Sequence, residues 1–396
     1  MGTALARCVG DVERFLGEHW SRSPLHLAGA DTGTFTDLLS LEDVDHLIST
    51  FPRRPAFRLV RDGKPLDPTT YTRTARLGGR ALSDVGDAAR IYAQLHDGAT
   101  LVLQGLHRYW PAVMGFCRDL EVELTHPAQA NAYITPPGSQ GLAVHHDTHD
   151  VFVLQLAGGK QWDVHEPVVE LPLPLQRWSS DLGDPGEPIL SVELRAGDCL
   201  YIPRGFPHAA ESRREMSAHL TVGVLTLTWK DVMSDVVAQV VDDLEFRRSL
   251  PPGFAHDEDA LAAEVAHQVD RLRASLDKVD PAVAAREATR RFWSRRWPIL
   301  TGQLGQLMAL DRLDGSSAVR RRAGSICRLS SGPDGLSCLL GDRELTMPAA
   351  LEPVMRRVAE AGPFRVDDLA DVLDGPSRLV LVRRLVREGL LEIVSP

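Results

Sequence analysis

Between about residues 99 and 229, short β-rich runs alternate with glycine and proline turns: ATLVLQGL, ANAYITPPGSQG, DVFVLQLAGGKQWDVHEP, ILSVELRAGDCLYIPRGFPHAA and SAHLTVGVLTLTW. Several short strands joined by such turns predict a β-sandwich or barrel. This stretch is the expected catalytic core. The flanks read differently. Residues 1–95 mix helical patterns (DVERFLGEHW, SDVGDAARIYAQLHDG) with a hairpin, PAFRLVRDGKPLD, turning at Asp62-Gly63. Residues 230–300 are helical, in VMSDVVAQVVDDLEFRRSL and LAAEVAHQVDRLRASLDK, with apolar spacing that suits a small bundle or an oligomer interface. Residues 301–396 begin with short strands and end as helix LEPVMRRVAEAG, helix VDDLADVLD, helix SRLVLVRRLVREG and strand LLEIVS, the outline of a winged helix. The Pro/Gly-bearing stretch 172–188 is expected to be a loop inserted between core strands.

The totals exclude several classes. With 396 residues, 43% hydrophobic and 25% charged, the chain has ordinary soluble composition. Arg7, Asp11, Glu13 and Arg14 stand where a secretory signal needs an apolar run, no apolar run elsewhere could span a bilayer, and MGTALA lacks the sixth-position hydroxyl of a myristoylation signal. A cytoplasmic protein without a membrane partner is expected. The five cysteines are scattered, with no C-x-x-C, so any metal must be held by nitrogen and oxygen. A net charge of -10 argues against nucleic acid as the main partner and suits a basic protein substrate.

The hexapeptide HHDTHD, residues 145–150, is the first chemical signal. On an extended strand alternate side chains share a face, so His145, Asp147 and His149 form one candidate set and His146, Thr148 and Asp150 the other. An isolated H-x-D is weak. A second stretch, AGDCLYIPRGFPHAA at 196–210, changes the odds: Gly197-Asp198 turns into an apolar strand, and Pro203-Arg204-Gly205 turns out of it to present His208 beside the next. Two histidines and one carboxylate with three positions open form the facial triad of non-haem Fe(II) oxygenases. His145, Asp147 and His208 are the expected ligands and catalytic centre.

Together, NAYITPPGSQGLAVHHDTHDVFVLQLAGGKQWDVHEP and AGDCLYIPRGFPHAA closely resemble the JmjC-type ribosomal oxygenases, which are 2-oxoglutarate-dependent protein hydroxylases with a double-stranded β-helix core. The resemblance is specific over roughly residues 125–229 and looser to the C-terminus. It implies an α+β chain in four parts: an N-terminal α/β elaboration (1–95), a cupin-like JmjC double-stranded β-helix (96–229), a helical dimerisation domain (230–300) and a winged-helix domain (301–396). It also implies Fe(II), 2-oxoglutarate and O2 as cofactor and co-substrates, a homodimer, and hydroxylation of an arginine or histidine side chain of a ribosomal protein.

Position by position, the family's H-x-D falls on His145 and Asp147 and its distal histidine on His208. The basic residue that pairs with the far carboxylate of 2-oxoglutarate falls on Lys160. The sequence supports Lys160 independently: lysine occurs only at 64, 160, 230 and 278 in a chain that otherwise uses arginine, and Lys160 follows Gly158-Gly159 inside an apolar segment, where it needs an anionic partner. Asn131, Tyr133 and Thr135 alternate along NAYIT toward one cavity. By resemblance Asn131 and Tyr133 bind co-substrate, with Thr221 on a later strand; Thr135 and Thr221 are equally well explained as ordinary strand residues. His149 is expected at the substrate mouth and not on the metal, since a fourth protein ligand would take a position the co-substrates need. His146 is expected to pack outward, and His219 to be a satisfied core histidine.

Competing readings are a hydroxylase of another peptide, such as a biosynthetic precursor, and an N-methyl-lysine demethylase, for which no methyl-lysine cage is recognisable. A regulator with a cupin sensor and a DNA-reading winged helix would use Arg378, Arg383, Arg384 and Arg387, yet residues 351–396 hold seven arginines against eight acids. A non-catalytic cupin or a metal-dependent isomerase would often add a further ligand, which this pattern lacks.

Overall fold

The computed structural model describes residues 3–29, 35–50, 52–360 and 362–394; Met1 and Gly2 of the opening segment and Ser395 of the closing one lie outside them. The chain divides into two units, Met1–Thr226 and Leu227–Pro396. Among the described residues no helix is long and apolar enough to cross a membrane.

The first unit is built on strands β1 (Leu25–Leu27), β2 (Phe57–Arg61), β3 (Lys64–Pro65), β4 (Thr72–Leu77), β5 (Arg80–Gly86), β6 (Thr100–Leu103), β7 (Ala128–Thr135), β8 (Ser139–Gln140), β9 (Asp150–Ala157), β10 (Lys160–His165), β11 (Pro188–Leu194), β12 (Cys199–Ile202), β13 (His208–Ser212) and β14 (Ser217–Val224). Eight of them form one sheet in the order β1-β12-β9-β14-β7-β6-β2-β3, and four form a second, β11-β10-β13-β8. The apolar run DVFVLQLA makes β9 a strand buried on both faces. Phe152, Leu154 and Leu156 enter a large core that also takes Phe15, Ile91 and Phe116 from helical segments. Val151 and Val153 face the other way and meet Trp162, Val164 and Leu194 of the second sheet in a smaller core. The hairpin at Asp62-Gly63 forms as expected, with both residues at positive φ (49° and 74°) and β2 paired to β3.

Local differences have local causes. The helix expected over SDVGDAARIYAQLHDG begins only at Ala88, because Ser83–Gly86 finish β5 and the Asp87 carboxylate accepts the Arg90 N–H as N-cap. More consequentially, residues 145–149 are not a strand: among them only His145 pairs, as an isolated bridge to His208, and β9 starts at Asp150. The ladder cannot run back through HHDTHD because the Asp147 carbonyl is taken by the Gly205 N–H (3.0 Å). The expected insertion joins β10 to β11 but runs over 166–187, beginning six residues earlier than expected and ending before Pro188, which opens β11.

In the second unit, helices span Trp229–Val240, Glu258–Leu276 and Pro281–Ser294. The first stops ten residues before the end of the predicted stretch at Leu250, since Asp242, Asp243 and Glu245 oppose the negative end of a helix dipole. Strands β15 (Ala318–Arg321), β16 (Arg328–Gly332), β17 (Gly335–Leu339), β18 (Glu344–Met347), β19 (Phe364–Arg365) and β20 (Leu391–Ile393) form two three-stranded sheets, β16-β17-β18 and β19-β15-β20. Helices Glu352–Glu360 and Gly375–Arg387 share a core with them. The helix expected over VDDLADVLD is one 3-10 turn, Val366–Leu369, because Asp374 must leave helical geometry to cap the next helix at Ser377.

Candidate active site

His145, Asp147 and His208 each offer a ligand atom within 4.8 Å of the others. Backbone contacts set the spacing: the His145 N–H donates to the His208 carbonyl (3.1 Å) and the His208 N–H donates back (2.8 Å). The Gly205 N–H on the Asp147 carbonyl adds the third ligand to the same frame. Gly205 has φ +89°, and a Cβ there would fall 2.6 Å from the Val169 carbonyl oxygen, so this turn needs glycine.

Both histidine rings are oriented by their own chain. His145 Nδ1–H donates to Ala143 O (2.9 Å) and His208 Nδ1–H to Phe206 O (3.0 Å), which leaves both Nε2 lone pairs available. His208 Nε2 lies 3.7 Å from Asp147 Oδ2. Burial, then the charge of His145, pushes the His208 ring down to about 4, so it is a neutral ligand at physiological pH. Burial pushes the Asp147 carboxyl up, but His149, His208 and His145 outweigh it and hold it below the ordinary carboxylate range. Two imidazole nitrogens and one ionised carboxylate fit a divalent iron-type ion, and among the described residues the cluster holds no further ligand to close its coordination.

The triad opens on two cavities. The inner one continues the small core between the sheets and is lined by Tyr133, Lys160, Trp162, His219 and Thr221 as well as the triad. Lys160 is 3% exposed; its Nζ donates to Thr135 Oγ1 (3.1 Å), and burial pushes the ammonium down to about 7. A buried amine with only a hydroxyl partner suits an anionic ligand. The Tyr133 phenol is pushed up to about 12 by burial, then by the charge of Asp147, and is a neutral donor.

The outer cavity, of about 480 Å³, is lined by His145, Asp147, His149, Asn131, Arg58 and Trp178 among others. Asn131 is opposite Thr221 in the β7–β14 ladder, and its Oδ1 accepts the Gly105 N–H at 3.0 Å. It lines this outer space and not the inner one. His149 lies over Gly223, where a Cβ would come 2.8 Å from the ring, so the glycine makes room for the imidazole. Among the described residues, Asp147 is the only acidic side chain lining either cavity.

A JmjC domain model matches residues 113–232, which include the triad, Lys160 and the strands that carry them. Ribosomal oxygenase 1 of Gallus gallus is 34% identical over 252 residues, covering 60% of this chain and 40% of that protein. The chain carries a JmjC domain and is similar, over about 250 residues, to ribosomal oxygenases. The bifunctional lysine-specific demethylase and histidyl-hydroxylase NO66 of Drosophila persimilis is 29% identical over 250 residues, covering 60% of this chain and 34% of its own. YcfD, a ribosomal oxygenase from Escherichia coli solved with cobalt and 2-oxoglutarate, aligns with a TM-score of 0.55 and 20% identity over 97% of this chain and 98% of its own. At that identity the likeness is one of fold. The chain spans less than half the length of the curated relatives named here.

Other expected positions in this JmjC core fall elsewhere. His146 does not pack outward: it is 4% exposed, its Nε2 bonds the Gln176 carbonyl (2.9 Å), and its ring meets Trp178 edge-on, so it anchors the inserted loop. The Asp150 carboxylate is buried and accepts from Tyr201 OH (2.7 Å), Ser21 Oγ (3.2 Å) and the Arg204 N–H (2.9 Å), holding the turn that carries Gly205. His219 is not a satisfied core histidine, since its buried Nδ1 has no hydrogen-bond partner. Arg58 and Trp178 escaped the sequence reading because each comes from a segment remote from the motif. Their only signal was type, a cation in a strand and an aromatic in a loop.

Proposed function

We propose that this protein is an Fe(II)- and 2-oxoglutarate-dependent oxygenase that hydroxylates an amino-acid side chain of a ribosomal protein. The observation that carries the proposal is a two-histidine, one-aspartate cluster opening on a cavity walled by a buried lysine without a carboxylate partner. His145, Asp147 and His208 would hold the metal and Lys160 the far carboxylate of 2-oxoglutarate, with Tyr133 and Thr221 beside it and Asn131 toward the mouth. When bound, the iron and 2-oxoglutarate supply the oxidising chemistry: the keto acid is decarboxylated to succinate while O2 provides the new hydroxyl oxygen. The chain's part is to keep two imidazoles and one carboxylate turned inward and to shield the co-substrate behind Trp162. His149, Arg58 and Trp178 then receive the substrate side chain in the outer cavity.

Between the two expected residues, histidine is favoured over arginine. The outer cavity already holds the cation Arg58, and its only carboxylate is Asp147, so a guanidinium entering it would lack a counter-charge. The names of ribosomal oxygenase 1 and of the histidyl-hydroxylase relative support a ribosomal protein and a histidine. A peptide substrate outside the ribosome is the second reading. We further propose a homodimer through the helical segment, supported by the helix Glu258–Leu276, which has no buried residue and exposes Val265 and Val269. A winged helix is proposed for the C-terminal elements, and a cytoplasmic location for the protein.

Two measurements test the proposal. Asp147→Ala is expected to abolish 2-oxoglutarate turnover, a loss of at least about 100-fold given the dependence of such sites on each ligand; full activity refutes the metal site. Intact masses of ribosomal proteins from hosts with and without the gene should differ by one oxygen in a single protein. Identical masses would favour the peptide reading.

A further inference from the structure

His219 is the buried titratable group that the chemistry above leaves without a task. It lies on β14 opposite Tyr133 of β7 and two positions before Thr221, so its ring enters the inner cavity on the same face as theirs. Tyr133 stacks on it at 5.0 Å and 5°, and Trp162, from the facing sheet, meets it edge-on at 5.5 Å and 81°. These rings fix its plane and use none of its polar atoms. His219 is 3% exposed, and its Nδ1 is buried without a hydrogen-bond partner. Burial, then the charge of Lys160, holds the ring well below the ordinary imidazole range, so it is a neutral group with one N–H to give. Across the cavity, Lys160 has the Thr135 hydroxyl and, at 6.0 Å, the Trp162 ring, and among the described residues it has no anionic partner. Two polar groups on opposite sheets therefore line one space, each short of a partner, and buried polar groups are normally satisfied.

We propose that His219 is a second anchor for the carboxylate that Lys160 holds, donating its ring N–H through Nδ1, so that a dicarboxylate is gripped by a cation from one sheet and a neutral donor from the other. The inference rests on the 2-oxoglutarate reading. It assigns His219 a binding role, with the stacked Tyr133 as the residue that positions it.

The test is calorimetric titration of 2-oxoglutarate into the Mn(II)-loaded full-length protein, with Mn(II) affinity measured separately by electron paramagnetic resonance. His219→Ala is expected to weaken 2-oxoglutarate at least about tenfold, the usual effect of losing a hydrogen bond to a charged group. His219→Asn, whose amide nitrogen falls near the place of Nδ1, should restore most of the loss, whereas His219→Phe, which keeps the stack without the donor, should not. Mn(II) affinity should stay at the wild-type value in all three. Wild-type 2-oxoglutarate affinity in His219→Ala overturns the anchor, and so does full affinity in His219→Phe, which would reduce the ring to packing. No uptake of 2-oxoglutarate by the wild-type protein overturns the co-substrate reading and the anchor with it.

Discussion

Lys160 sits where an ammonium ion is costly, and its consequences can be measured without substrate. Its folded value of about 7 lies well below the 10.5 of a free lysine. Between those two values the unfolded chain binds more protons than the folded one, so this group makes stability rise with pH from about 7 toward 10.5. Below the folded value the whole penalty is present. Lys160→Met should therefore stabilise the ligand-free protein by about 1–3 kcal/mol, the typical cost of an under-partnered buried polar group. The gain should be larger at pH 6 than at pH 9 in thermal melts at the two values. The same variant should lose 2-oxoglutarate affinity about 100-fold, since the anion loses its counter-charge. A variant that gains no stability would mean that the buried amine is better satisfied than its single hydroxyl partner suggests. Lys160 was legible in the sequence because lysine is rare in this chain and this one follows two glycines in an apolar run. His146 and His219 were not, because a neutral histidine in a strand or loop looks the same whether it anchors a loop, packs or binds.

At the scale of elements, the β-rich runs between glycine and proline turns located the core strands, and the Asp62-Gly63 turn located a hairpin. The alternation argument failed over HHDTHD for a physical reason: it presumes a continuous ladder, and here tertiary hydrogen bonds from the 203–208 segment replace the ladder. His145 and Asp147 converge because the backbone of that segment captures theirs. Asp150 is the residue on which this capture depends, since its carboxylate satisfies the Tyr201 hydroxyl, the Ser21 hydroxyl and the Arg204 N–H at once. Asp150→Ala is expected to cost about 3 kcal/mol or more, because buried donors are left unpaired. It should also weaken Mn(II) binding about tenfold, as the loss of supporting groups usually does. Urea unfolding and a metal titration check the two effects. Wild-type metal affinity in a destabilised variant would separate the turn from the site. The 3-10 turn at Val366–Leu369 was illegible for a related reason, since the demand that Asp374 cap the following helix outweighs the short run's own preference.

At the scale of the whole molecule, the residues given a chemical role all fall in the first unit, Met1–Thr226, while the unpartnered apolar residues of the long helices fall in the second. On the dimer proposal, light scattering should give about twice the 43.5 kDa chain mass, and a monomer would overturn it. The broad plan, a β-rich core followed by a helical segment and a mixed C-terminal part, could be read from where periodicity changes. The cavities could not, because they are made by residues from distant segments such as Arg58, Tyr133 and Trp178. The paired main-chain hydrogen bonds between His145 and His208 hold the two imidazoles together through peptide groups and not through an ion. On the proposed iron site, the frame that positions the ligands is built by the chain before the ion arrives, and the ion would add to the stability of the fold only by mass action.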